Sequence, residues 1–325
     1  MRLRHLPLAL ALAAGCLATG PAANASSSAA AFDAALAAGH APAFALEYDG
    51  VMHQIAGLDR LEVELEGPDG QPGAIYAAQV DGRPATIVRL GDRLDIAYDD
   101  EKASAAGRAK RSGEWIPDYA GLDDLAGMGD ENPPDPEADQ PGGDGLNVWI
   151  FLHDNANEPD HARFVNWYTA WWLKEMKNDV IPGKPVRVFL KTRVPGLTDL
   201  DYHAGTQVER LHDVHLRGFE YVDGVGGHPG PLTRYMLFVD KPAGNWGSNA
   251  VGVALDRGKS AMASRTGPRH IVAHELGHTI GGVHEHAQTF PCASSMAGYV
   301  LATISCRWYT SANQRNIREF LTPLL

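Results

Sequence analysis

Three histidines within eleven residues place the strongest constraint on how this chain folds. Residues 274–284 read HELGHTIGGVH, with His274 and His278 four positions apart and Gly281 three positions further on. Side chains four residues apart lie on the same face of an α-helix, one turn above each other. A glycine can adopt the positive φ that ends a helix and redirects the chain. We therefore predict a helix that ends near Gly281, so that His284 approaches the two helical imidazoles from outside.

Three imidazoles that converge on one point can bind a divalent metal ion. Zn²⁺ takes histidine nitrogens at about 2.0–2.1 Å, and three neutral ligands leave one coordination position open, as in catalytic zinc sites. Glu275 follows the first histidine, close enough to act as a base on a water in that position without being a ligand itself. Two other interpretations are a zinc site without catalytic activity and a helix whose histidines are ordinary surface or core residues.

This segment resembles the H-E-x-x-H-x-x-G-x-x-H signature of the metzincin zinc peptidases. Members of that family also carry a methionine-containing turn beneath the zinc. Here residues 294–299 read SSMAGY, and Met296 lies twelve positions after His284. The resemblance covers about residues 146–325. It implies an α+β catalytic domain with a twisted mixed sheet, an active-site helix and a C-terminal helix.

The resemblance also assigns roles to individual residues. It makes His274, His278 and His284 the zinc ligands, Glu275 the general base and Met296 the hydrophobic floor of the site. Family members that use a tyrosine as an extra ligand or oxyanion donor carry it two residues after the methionine, whereas Tyr299 lies three after. Tyr299 is therefore a candidate for that role, with a packed aromatic side chain as the alternative. The family binds substrate along an edge strand, for which residues 249–255 are our candidate.

The first 25 residues have the order of a secretory signal peptide. Basic residues come first, an apolar run follows, and the segment ends in Ala-Asn-Ala at positions 23–25. We therefore expect the protein to be secreted or periplasmic. Cys16 follows Ala-Ala-Gly, a sequence similar to the bacterial lipoprotein box, so a lipid anchor at the cell envelope is the alternative. Signal removal leaves Cys292 and Cys306, an even pair in an oxidising compartment, and we predict that they form a disulfide beside the methionine turn.

Composition shifts divide the remaining chain. Residues 26–100 contain short alternating and β-rich runs, so we predict a small β-rich domain that is either a removed propeptide or a permanent accessory domain. Residues 101–145 are rich in acidic residues, proline and glycine, which predicts a linker. The basic run at 108–111 is either a processing site for a trypsin-like protease within it or simply an exposed basic patch. Residues 146–325 alternate strand and helix patterns and form the predicted zinc peptidase domain.

Charge and hydropathy exclude two classes of partner. The formal net charge is −12, and binding to a phosphate backbone requires clustered positive charge, so nucleic acid is excluded. No apolar run after the signal peptide reaches the length of a membrane span. The function predicted from the sequence is a secreted zinc-dependent endopeptidase that acts on proteins or peptides. The alternative is an exported zinc-containing binding or adhesion module without proteolytic activity.

Overall fold

The computed structural model describes residues 22–39, 43–99, 116–117, 144–246, 250–300 and 306–325, with the backbone alone at 22–27, 116–117 and 299–300. The helices are α1 (Ala22–Ala37), α2 (His161–Tyr168), α3 (Ala170–Glu175), α4 (Gln207–Gly224), α5 (Ile271–Thr279) and α6 (Ser311–Leu321). The first seven strands are β1 (Ala43–Tyr48), β2 (Val51–Arg60), β3 (Glu64–Glu66), β4 (Pro72–Val80), β5 (Arg83–Leu90), β6 (Arg93–Tyr98) and β7 (Ile116–Pro117). The later strands are β8 (Leu146–Leu152), β9 (Val186–Lys191), β10 (Thr233–Val239), β11 (Gly252–Ala254), β12 (Ser260–Ser264) and β13 (Tyr299–Val300).

The strands from β1 to β6 pair mainly in antiparallel hairpins. β4 lies between β2 and β5, and β5 also pairs with β6. The connections β1–β2 and β4–β5 are Asp-Gly pairs in which both residues have positive φ, the backbone that two-residue hairpin turns require. Helix α1 packs on one face of these strands, where Phe32 is fully buried. The β-rich character expected of residues 26–100 is present from β1 onward, and α1 precedes it.

The strands after residue 144 form a largely parallel sheet. β8 pairs in parallel with β9 and β10, β10 pairs in parallel with β12, and β11 closes the edge antiparallel to β12. Every residue of β10, β11 and β12 is buried, as expected for strands covered on both faces. Helix α4 packs on one face and helices α2, α3 and α5 on the other.

The two groups of strands belong to one mixed sheet. In the described part of the chain its order is β1-β2-β4-β3-β9-β8-β10-β12-β11, with β5 and β6 branching from β4. The junction is β3, which is antiparallel to β4 and parallel to β9. The large mixed sheet with several helices agrees with the expected fold class. The division into domains at residues 100 and 146 stays a prediction.

The predicted export signals lie almost wholly outside the described residues. Positions 1–21, including Cys16, are not described, and positions 22–25 contribute backbone to the start of α1. Within the described residues, no helix is both long and apolar enough to cross a bilayer.

Candidate metal centre

Helix α5 carries the first two histidines through the interior of the protein. All nine of its residues are buried, including His274 and His278. The helix ends as the sequence predicts: the φ of Gly281 is 94°, the N–H of Gly282 donates to the carbonyl of Gly277 (2.8 Å) and that of Gly281 to His278 (3.3 Å). This pair of bonds is the Schellman motif, which satisfies the last helical carbonyls while the chain reverses. The reversal brings His284 back toward the helix.

The three imidazoles meet at one point. The Nε2 atom of His274 lies 3.1 Å from Nε2 of His278 and 3.3 Å from Nε2 of His284. One ligand atom from each of the three rings lies within 4.8 Å of the others. Two nitrogens on a tetrahedral zinc at about 2.0–2.1 Å are about 3.3–3.4 Å apart. The two shorter nitrogen–nitrogen distances therefore match the spacing that one shared ion requires.

A carbonyl below the helix fixes the tautomer of His274. Its Nδ1 lies 2.6 Å from the backbone oxygen of Ser295, which can only accept a hydrogen bond. The proton of the neutral ring therefore sits on Nδ1, and the Nε2 lone pair points at the other two rings. Such an outer partner is the usual companion of a metal-bound histidine. The donor set and its hydrogen bonding fit Zn²⁺ bound by three histidines.

Met296 packs closely against helix α5. Its side chain is fully buried, and a Cβ placed on Gly277 would lie 3.3 Å from the Met296 Cε and collide with its sulfur. Only a glycine lets the helix approach the thioether this closely. Gly298, two residues later, lies against the His284 ring, because a Cβ there would be 3.3 Å from Nδ1. The methionine turn therefore contacts both the helix and the third histidine.

Helix α6 holds the segment that carries His284. The amide of Asn313, which is fully buried, accepts a hydrogen bond from the Val283 N–H (2.8 Å) and donates one to the Val283 carbonyl (3.0 Å). His286 lies beside this contact rather than in the triad: its Nδ1 is 2.9 Å from the Asn316 amide nitrogen. Asn313 could not be identified from the sequence, since nothing in the pattern of α6 distinguishes it from any other polar residue of a helix.

Glu275 lies against the backbone of the edge strand β11. Its side chain is 1% exposed, and a Cβ placed on Gly252 would lie 2.6 Å from both its Cγ and its Cδ. The carboxylate therefore occupies the space that any other residue at position 252 would fill. No sequence pattern pairs these two positions, although β11 falls within the predicted substrate strand at 249–255.

A chain of buried polar groups supports the start of the metal-binding helix. Trp172 Nε1 donates to the Tyr309 hydroxyl (3.0 Å), which donates in turn to the carbonyl of Ala273 (2.5 Å), the residue before His274. The backbone N–H of Tyr309 donates to Glu175 (2.6 Å). Burial raises the pKa of the Glu175 carboxyl to about 7, although hydrogen bonds from Gln314 and from Tyr309 oppose the shift. The far end of the helix is capped by the buried Arg234, whose Nε donates to the Thr279 carbonyl (3.0 Å).

The predicted disulfide is present beside the site. Cys292 and Cys306 are bonded, with 5.5 Å between their Cα atoms, and the Cys306 N–H donates to Ala293 (2.7 Å). The backbone of Tyr299 belongs to β13, which pairs with β7. The side chain of Tyr299 is outside the described part of the chain, so its predicted role stays open.

A cavity of about 760 Å³ lies elsewhere in the molecule. It is lined by residues of β3, β8 and β9, by the end of α4 and by the chain that follows α4. Its aromatic residues are Trp149, Phe189 and Tyr221. None of the three converging histidines lines it. The imidazoles and Glu275 form the better candidate site. Three converging histidines can bind a metal ion, whereas the residues that line the cavity do not indicate a particular ligand.

The similarity of this chain to known proteins lies in its structure. No family model matches it, and no curated protein matches it. Among solved structures it is similar to the crystal structure of metalloproteinase-II from Bacteroides fragilis, at 17% sequence identity and a TM-score of 0.47. That similarity spans 88% of this chain and 94% of the other.

Proposed function

We propose that this protein is an exported zinc-dependent endopeptidase of the metzincin type. The single observation that carries the proposal is the convergence of three imidazoles on one point, together with a buried Glu275 carboxylate that follows the first of them in the chain and contacts the edge strand β11. A metal site that served only to hold the fold together would gain nothing from a carboxylate in that position.

The residues divide into ligands and a base. His274, His278 and His284 would hold Zn²⁺ through their Nε2 atoms. When bound, zinc supplies a Lewis acid that polarises a carbonyl and lowers the pKa of a water. Glu275 takes the proton from that water through a carboxylate oxygen and passes it to the nitrogen of the departing amine. Met296 and the Ser295 carbonyl hold the ligands in place and take no part in proton transfer.

The edge strand supplies a place for the substrate. β11 pairs with β12 on one side and is the last strand of the described sheet on the other. An extended peptide can add to such an edge through main-chain hydrogen bonds, which favour no particular side chain. A peptide added beside Gly252 would lie next to the strand position that Glu275 contacts. The substrate class that fits this arrangement is therefore an extended polypeptide.

Export is supported by the sequence and by the disulfide. Residues 1–25 have the order of a signal peptide, and bonded cysteines persist mainly in oxidising compartments. Secretion or a periplasmic location is the corresponding proposal, with lipid attachment at Cys16 as its alternative. Tyr299 remains a candidate oxyanion donor or extra ligand.

Metal analysis and peptide hydrolysis test the proposal together. We expect one zinc per chain and cleavage of peptide libraries that stops with a chelator and returns with Zn²⁺. Glu275→Gln should retain zinc and lower kcat by about 10²–10⁴-fold, the usual contribution of a general base. His278→Ala should lose the metal as well as activity, whereas His286→Ala should keep both. Full zinc binding without any peptide cleavage would contradict the proposal and favour the binding-module alternative.

A further inference from the structure

The contact surface between residues 43–99 and residues 144–325, here called the seam, is built like the interior of one domain. β3 lies parallel beside β9, with Leu65 opposite Val188. This pairing continues the hydrogen-bonded sheet across the seam. A hinge between separate domains is normally an exposed linker crossed by few contacts.

Apolar side chains cross the seam in both directions. Six buried residues of the N-terminal part belong to the same core as helix α5: Leu61, Val63, Leu65, Ile75, Val88 and Leu90. Residues of α2 and α3, such as Phe164 and Trp171, belong to that core from the other side. The N-terminal strands thus have two apolar faces, one covered by α1 and the other by helices of the metal-binding part. Separation would expose apolar surface on both pieces, which proteins rarely leave uncovered.

The charges across the seam are sorted by sign. In each of five ion pairs between described residues, the N-terminal part supplies the acid and the C-terminal part supplies the base. The pairs are Glu62–Lys177 (3.5 Å), Glu64–Arg187 (3.1 Å), Glu66–Lys191 (2.5 Å), Asp69–Arg193 (3.1 Å) and Asp99–Lys174 (3.7 Å). Such complementarity fixes register and speeds association more than it adds affinity, because exposed pairs are screened by water.

In one of these pairs, Glu66–Lys191, the base is buried although the acid is partly exposed. The Lys191 side chain is 9% exposed and its ammonium lies 5.3 Å from the centre of the Trp149 ring. A buried cation that loses its partner is costly, so Glu66 contributes more than the exposed acids do. Another buried polar contact across the seam is made by Asn166 on α2, whose amide donates to the Thr86 carbonyl (3.1 Å) and to the Asp95 carboxylate (2.8 Å).

We infer that the seam is a permanent interface: when the chain between residues 99 and 144 is cut, the N-terminal part stays bound as the second chain of one folded protein. Its partner surface is the basic and apolar edge formed by β9 with helices α2 and α3. Cleavage at the basic run 108–111 would then yield a two-chain protein and would not release the N-terminal part. This inference does not depend on the proposed peptidase activity.

The test uses the full-length protein with a sequence-specific protease site inserted between residues 118 and 143. After cutting, verified on a denaturing gel, the nicked protein is applied to size exclusion at 0.15 M NaCl and to calorimetry. We expect both fragments to elute together at the size of the intact chain, with one thermal transition. Separate elution of the fragments, with the C-terminal fragment folded and monodisperse, would overturn the inference.

Charge reversal tests whether the sorted charges hold the two chains together. In the nicked protein, Lys191→Glu should raise the dissociation constant of the fragments by at least about 30-fold, since it leaves Glu66 facing a like charge. The exchange Lys191→Glu with Glu66→Lys should recover much of this loss. Arg210→Glu is the matched control, because its partner Asp213 lies on the same helix α4 at 3.0 Å and away from the seam pairs.

If Lys191→Glu does not fold, a salt titration of the nicked wild-type protein provides a second test of the seam charges. The dissociation constant of the nicked wild-type protein should rise between 0.05 and 1 M NaCl, because screening weakens the outer pairs. Equal weakening by Lys191→Glu and Arg210→Glu, or a dissociation constant independent of salt, would show that the sorted charges take no part in retention.

Discussion

The amide of Asn313 holds Val283 through two hydrogen bonds, one to its N–H and one to its carbonyl oxygen. Val283 directly precedes His284, so a buried side chain thirty residues later in the chain fixes the approach of the third imidazole. His274 is fixed in a comparable way by the Ser295 carbonyl. Both contacts orient a histidine from the side away from the point where the three rings meet, so changes to them should lower metal affinity as well as stability.

Asn313→Ala should weaken zinc binding without removing a ligand. The loss of outer partners of metal ligands typically costs 10–100-fold in affinity, and we expect a change in that range. The free energy of unfolding should fall by about 1–3 kcal/mol, because the backbone groups of Val283 lose their hydrogen-bond partners in a half-buried position. Competitive zinc titration and denaturant unfolding measure the two effects. Asn316→Ala, on the same helix, should change the zinc affinity less than threefold.

Gly252→Ala should reduce peptide hydrolysis while leaving the metal in place. The added methyl group would occupy the space of the Glu275 side chain and force the carboxylate to move. Since a displacement of about 1 Å can cost on the order of 10²-fold in rate, we expect kcat/KM to fall by about that factor with one zinc retained. Gly244→Ala is the control, because a Cβ there meets nothing within 4 Å. Equal activity of the two variants would show that β11 does not position Glu275.

Glu175 should make the protein less stable as pH rises from 4.5 to about 7. Burial raises the pKa of Glu175 to about 7 in the folded protein, against 4.5 as the ordinary value. Between these values the folded state binds more protons than the unfolded state, so the free energy of unfolding falls as pH increases. Glu175→Gln should remove this part of the pH dependence of the free energy of unfolding. The variant should then be more stable than wild type by at most about 3 kcal/mol at pH 8.

Denaturant unfolding of both proteins at several pH values measures the effect. At pH 4 the carboxyl is neutral in both states, so the two proteins should differ least there. An advantage of the glutamine variant that does not change with pH would show that Glu175 does not titrate in this window.

The disulfide should stabilise the region around the methionine turn. Cys292 and Cys306 are 14 positions apart, and closing a loop of about 15 residues is worth about 3 kcal/mol in the chain-entropy model. Replacing both cysteines by alanine should therefore lower the Tm by roughly 5–10 °C. The wild-type Tm should fall on addition of reductant, whereas the double variant should not respond. A wild-type Tm unaffected by complete reduction would contradict this prediction.

The local pattern was sufficient to predict that the three histidines converge. A spacing of four on a helix and a glycine at the helix end led to three converging histidines, and the structure brings His274, His278 and His284 together. The disulfide could also be predicted from the sequence, because two cysteines left in an oxidising compartment allow only one pairing. These predictions succeed because helix periodicity and a terminating glycine act over a few residues, where the chain has little freedom.

The environment of the ligands and the position of the N-terminal strands were decided by the tertiary structure. His274 meets the Ser295 carbonyl across 21 residues, and Lys191 meets Glu66 across 125. Glu275 contacts Gly252 because helix α5 packs against the edge strand β11. Neither segment by itself determines this arrangement. Contacts of this kind depend on the order in which strands pair and on which apolar faces cover one another. Strand order and the packing of apolar faces are determined by the core as a whole, since each apolar face contributes stability only when another element buries it.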